Sequence, residues 1–108
     1  MEKHRCILAH TDGTLERIEC DQRKVSELLG GSLTFAGAVG STVLALARAE
    51  DDRPDSPLNA LFRTNPNLFF EDSAPVYGKV LFVGDVQGDA AHVDEDVLRA
   101  AGVSLQVG

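Results

Sequence analysis

The chain has 108 residues, 44% of them hydrophobic, and ten Lys/Arg against seventeen Asp/Glu give it a formal net charge of −7. That length supports one domain around one core, and no apolar run approaches the roughly 20 residues that span a bilayer. An acidic excess of this size repels nucleic acid and anionic lipid, so neither direct nucleic-acid contact nor a membrane is expected.

The excess is unevenly spread. Residues 1–48 balance six Lys/Arg with six Asp/Glu, whereas residues 49–108 carry four against eleven and hold all of it. A field of that sign steers toward a basic protein surface, and it also keeps a small protein dissolved. Met1-Glu2-Lys3-His4-Arg5 is too polar for a signal peptide, and the expected compartment is the cytoplasm. With five Phe, one Tyr and no Trp, the core must come mainly from Val, Leu, Ala and Ile.

Residues 5–10 read as a strand, Thr11-Asp12-Gly13-Thr14 as its turn and residues 15–20 as the returning strand. Asp-Gly tolerates the positive φ that a type I′ turn needs at both central positions. In that register paired residues sum to 25, Cys6 faces Glu19, and Cys6 and Cys20 point to opposite faces of the ribbon. A bulged three-residue turn would shift the register by one and bring the thiols together. Two cysteines in a cytoplasmic chain read as free thiols.

Asp21 then looks like an N-cap, with Val25, Leu28 and Leu29 at helical spacing and Gly30-Gly31 as the stop. Residues 32–38 and 42–47 suggest a second hairpin across Val39-Gly40-Ser41, although Ala45-Leu46-Ala47-Arg48-Ala49-Glu50 also fits a helix. The small residues at 36–38 leave room for another backbone to come close. Residues 50–57 form a polar loop with two prolines. Ser56 as N-cap and Pro57 at the first helical position start a short helix over 58–62, which ends by Asn65-Pro66-Asn67. Leu68-Phe69-Phe70 follows, flanked by Glu71 and Asp72.

The stretch Val76 to Asp85 holds Val80-Leu81-Phe82-Val83, a run that reads as a central strand buried on both faces. Residues 84–89 are rich in turn formers. Asp94 caps a last helix that turns Val97, Leu98 and Ala101 inward and closes at Gly102. The expectation is one α+β domain over 1–108, with a mixed or antiparallel sheet of about five strands and two to three helices in the order β-β-α-β-β-α-β-α.

This order of features, with the Asp12-Gly13-Thr14 turn, the helix ending in Gly30-Gly31, Pro57-Leu58-Asn59 and Gly78-Lys79-Val80-Leu81-Phe82-Val83-Gly84, resembles the small domain-of-unknown-function family numbered 3846. The resemblance runs from Ile7 to about Ala101. It brings no known activity or catalytic residues. It implies a gene of a phage, large algal virus or conjugative element, a setting in which small acidic proteins often block a host defence, and it narrows the expected compartment to the cytoplasm of a host bacterial cell.

Motifs that carry chemistry are sparse. Gly37-Ala38-Val39-Gly40-Ser41-Thr42 has the composition of a phosphate-cradling loop, but lacks the lysine before the hydroxyl residue. His4, Cys6, His10 and Cys20 match no structural zinc spacing. His92 lies near Asp85, Asp89 and Asp94 without a recognisable nucleophile or oxyanion donor. Asp51, Asp52 and Asp55 miss the spacing of a calcium loop. No cofactor or metal is therefore expected.

The remaining candidate is a surface. Asp51, Asp52 and Asp55 on one loop, with Glu71 and Asp72 beside Leu68, Phe69 and Phe70, would make an apolar anchor with an acidic rim, suited to a host protein with a basic surface. Successive residues of an extended segment cannot both point inward, so one of Phe69 and Phe70 is expected in the core. The alternative is a small nucleotide held by Gly40, Ser41, Arg48, Arg53 and Arg63, between protomers of a homo-oligomer.

Overall fold

The computed structural model describes residues 3–21, 25–49, 57–73 and 75–103. Six strands, β1 (His4–Ala9), β2 (Leu15–Cys20), β3 (Leu33–Val39), β4 (Val43–Arg48), β5 (Val80–Val86) and β6 (Asp89–Ala91), form one antiparallel sheet. Its order is β2-β1-β5-β4-β3, with β6 paired to the end of β5. Three short helices accompany it: α1 (Val25–Leu29), α2 (Ala60–Thr64) and α3 (Glu95–Ala100), together with a 3-10 turn at Pro66–Leu68. The α+β expectation holds, and the segment from 43 to 48, which fitted either a strand or a helix, is a strand.

The apolar run from Val80 to Val83 is uninterrupted because the sheet is covered on both sides at its centre. Val80 and Phe82 face a core built with Ile7, Ala9, Val43, Ala45, Leu61, Leu68, Phe69 and Leu98. Leu81 and Val83 face a smaller cluster with Cys6, Leu8, Leu46 and the α1 residues Val25 and Leu29. A short helix has no stability of its own. The burial of Val25 and Leu29, about 2 kcal/mol for each side chain, is what holds α1 on the sheet.

The first hairpin turn differs from its expected form, and a further hairpin joins β5 to β6. The first strands pair Cys6 with Ile18 and Ala9 with Leu15, so partners sum to 24 rather than 25. The loop therefore contains three residues, Thr11 to Gly13. Gly13 N donates to His10 O at 2.9 Å, and Gly13 carries the positive φ of +90° that a bulged turn needs. Asp12 Oδ1 accepts from Thr14 N at 2.9 Å and holds that geometry. The two-residue turn with positive φ at both centres occurs instead at Gln87-Gly88 (54° and 87°), which joins β5 to a strand where only turn formers were legible.

The middle of the chain is displaced from its expected boundaries. The Ser56 cap lies outside the described residues. Pro57 and Leu58 stay extended, Leu58 bridges to Tyr77, and the helix begins only at Ala60 under Asn59. Asn59 prevails because its side chain fits a buried polar site: Oδ1 accepts from Leu61 N at 2.9 Å while Nδ2 donates to Gly78 O at 2.9 Å. The following turn then presses on β3, where a Cβ added to Gly37 would lie 2.1 Å from Leu68 O. That is the close approach which the small residues at 36–38 foreshadowed.

Candidate functional site

The two edges of the sheet differ in chemistry. On β2, the sequence Leu-Glu-Arg-Ile-Glu-Cys puts Glu16, Arg17 and Glu19 along the rim, charges of the kind that discourage another strand or surface from docking. On β3, Leu-Thr-Phe-Ala-Gly-Ala-Val has no charge and no proline. β3 also lies outermost in the sheet order, so the neutral strand is an edge.

A bulge shapes this edge. Phe35 pairs with Leu46 and Gly37 with Ala45, so Ala36 is the extra residue. Ala36 turns into the larger core, whereas Phe35 stays on the α1 side and is 64% exposed. Ala36 O, released from the ladder, accepts from Phe70 N at 2.9 Å. That bond seats the segment carrying Phe70, Glu71 and Asp72 against the β3 edge, one residue from Phe35.

The predicted surface residues are thereby sorted. Leu68 and Phe69 are core, and the Phe69 ring packs tilted against Phe62 with ring centroids 5.4 Å apart. Phe70 is 44% exposed, and Glu71 and Asp72 are exposed beside it. Asp51, Asp52, Asp55 and Arg53 lie outside the described residues. Phe35, the most exposed large apolar side chain described, was not singled out in the sequence, because a phenylalanine in a strand ordinarily signals core. The signal that was available is the charge-free composition of the strand.

Two open clefts flank α1 on the face it covers. One, of about 260 Å³, is lined by Leu33, Phe35, Leu44, Leu46, Val83 and Asp85. The other, of about 420 Å³, is lined by Lys3, Ile18, Glu19, Cys20, Asp21, Glu27 and Leu28. On this face Leu28, Leu33 and Phe35 stay in contact with water.

Of the alternative nucleotide residues, the four that are described, Gly40, Ser41, Arg48 and Arg63, are not collected within the chain. Gly40 and Ser41 sit in the turn before β4 and Arg48 at its far end, roughly 20 Å of extended chain away. Arg63 belongs to α2, against the opposite face of the sheet from the α1 cluster. The histidine and carboxylates near the β5 turn are engaged structurally: His92 Nδ1 accepts from Arg5 N at 2.9 Å, Asp85 Oδ1 from Gly88 N at 2.8 Å and Asp94 Oδ1 from Asp96 N at 3.1 Å. Among the described residues no group of three or more His, Cys, Asp or Glu is placed to hold a metal ion, and no helix is long and apolar enough to cross a membrane.

No family model matches the chain, and neither does any curated protein or solved structure.

Proposed function

We propose that the chain is a non-enzymatic binding protein that docks a partner along the β3 edge, with Phe35 and Phe70 as apolar anchors and Glu71, Asp72 and Asp85 as the acidic surround. The observation that carries this reading is the uncharged edge strand with its 64% exposed phenylalanine in a protein of net charge −7. An edge left without lysine, proline or inward charge is one that other chains can approach. Aromatic anchors supply affinity, and acidic side chains around them select a basic surface and speed encounter. In the mobile-element setting that the resemblance implies, the partner is a host defence or nucleic-acid-processing protein whose own site is basic.

The test is affinity capture from host-cell lysate with the wild-type chain and Phe35→Asp as parallel baits, after equal thermal stability of the two has been checked. The expected outcome is a partner retained by the wild type, absent from the variant and released as ionic strength rises. A partner held equally by both baits, or held independently of salt, refutes this placement. Sedimentation of the free protein separates the other possible occupant, a second copy of the chain.

A further inference from the structure

The register of the first hairpin brings its two cysteines to one face. His4 opposes Cys20 and Cys6 opposes Ile18, so Cys6 and Cys20 are diagonal neighbours on the same face of the ribbon. Their sulfurs are 3.0 Å apart, about 1 Å longer than a disulfide bond. The two are not bonded to each other, and their accessibility differs: Cys6 is fully buried beneath α1, while Cys20 is half-buried and opens into the 420 Å³ cleft beside Lys3. Structural thiols in small domains ordinarily pack apart as small apolar residues. Here a reachable thiol has a second one in contact behind it.

We propose that Cys6 and Cys20 form a reversible dithiol–disulfide site, with Cys20 as the attacking thiol, Cys6 as the resolving thiol and a small-molecule disulfide as the oxidant. The Cys20 thiolate attacks one sulfur of the oxidant, breaks its S–S bond and expels a thiolate that takes up the proton Cys20 has released. Cys6 sulfur then attacks Cys20 sulfur in the mixed disulfide, and its proton passes to the second departing thiolate. Two protein S–H groups and one small-molecule S–S bond become one protein S–S bond and two small-molecule thiols, a two-electron oxidation of the protein. The order of roles follows from access. Burial, aided by the hydrogen bond to Cys20, also pushes the Cys6 thiol well above its ordinary pKa, so Cys6 does not initiate exchange with solvent reagents. The site goes beyond the docking edge and does not depend on it, since β1 and β2 lie at the other side of the sheet.

The full chain is incubated with oxidised glutathione and followed by intact mass, thiol titration and thermal unfolding. The expected product is a monomer lighter by two hydrogen atoms, with no titratable thiol and an unfolding midpoint raised by on the order of 10 °C, all reversed by dithiothreitol. Cys6→Ser is expected to stop at a stable glutathione adduct on Cys20. A persistent adduct on the wild type, a disulfide between two chains, or thiols that stay titratable each overturns the proposal. A Cys6→Ser chain that takes up no glutathione overturns the assigned order of attack.

Discussion

Asn59 shows how much one buried polar residue can organise. It is fully buried, and its amide reaches three parts of the molecule: the start of α2 through Leu61 N, the approach to β5 through Gly78 O, and the end of β1 through His10 O at 3.3 Å. Truncation takes the acceptor from Leu61 N and the donor from Gly78 O, both in buried bonds, and it also removes the helix cap. Asn59→Ala is therefore expected to cost about 2–4 kcal/mol, read as a lower urea midpoint with an unchanged slope. A loss under half a kcal/mol would show that water replaces the side chain. Asn65 and Asn67 act in a similar but more exposed way, donating to Gly102 O at 3.2 Å and Ala101 O at 3.1 Å at the end of α3. None of these roles is legible locally, since an asparagine before a helix and one beside a proline look alike in sequence. Only the fold supplies their distant carbonyls.

Between elements, the clearest electrostatic link is that from β2 to α3. Arg17 Nε and Nη2 donate to the Glu95 carboxylate at 2.9–3.0 Å. These bonds, more than simple charge proximity, hold the Glu95 carboxyl below the ordinary glutamate value of 4.5. The folded state thus binds fewer protons than the unfolded chain in that range. The stabilisation is complete above the ordinary value and is lost as pH falls through the lowered one. Wild type is expected to lose more stability than Arg17→Ala between pH 7 and pH 3, measured by urea midpoints. Equal losses would mean that the pair contributes nothing. α1 and the β3 edge belong to this scale too: Gly30-Gly31 stops the helix before Leu33 and Phe35, which emerge uncovered, and the bulge at Ala36 lets one strand serve the core and the surface together.

For the molecule as a whole, burial decides what an identical substitution does. Val80 is fully enclosed in β5, with antiparallel neighbours on both sides, and Phe35 stands at the outer strand in water. A carboxylate at Val80 has no partner and no solvent, so Val80→Asp is expected to abolish cooperative unfolding, checked by thermal melts and near-ultraviolet dichroism. Phe35→Asp is expected to melt within a few degrees of the wild type, because exposed substitutions move stability by only about half a kcal/mol. A folded Val80→Asp chain would show that β5 is not the centre of the sheet.

The sequence by itself determined the elements whose signals are local. Apolar and turn signals marked β1 to β5 but not β6, Asp94 and Gly102 bounded α3, and Val80-Leu81-Phe82-Val83 announced a strand covered on both faces. It did not determine the hairpin register, because Asp-Gly serves a two-residue and a three-residue turn equally well, and one residue of slip carries a whole strand's side chains to the other face. Tertiary structure made that choice by pairing Ala9 with Leu15, and so placed the two thiols 3.0 Å apart. It likewise decided which phenylalanines are core, since Phe35, Phe69 and Phe70 differ little in composition of context and greatly in what packs over them. Local chemistry sets which conformations are affordable; only long-range contacts set which side of a strand meets water.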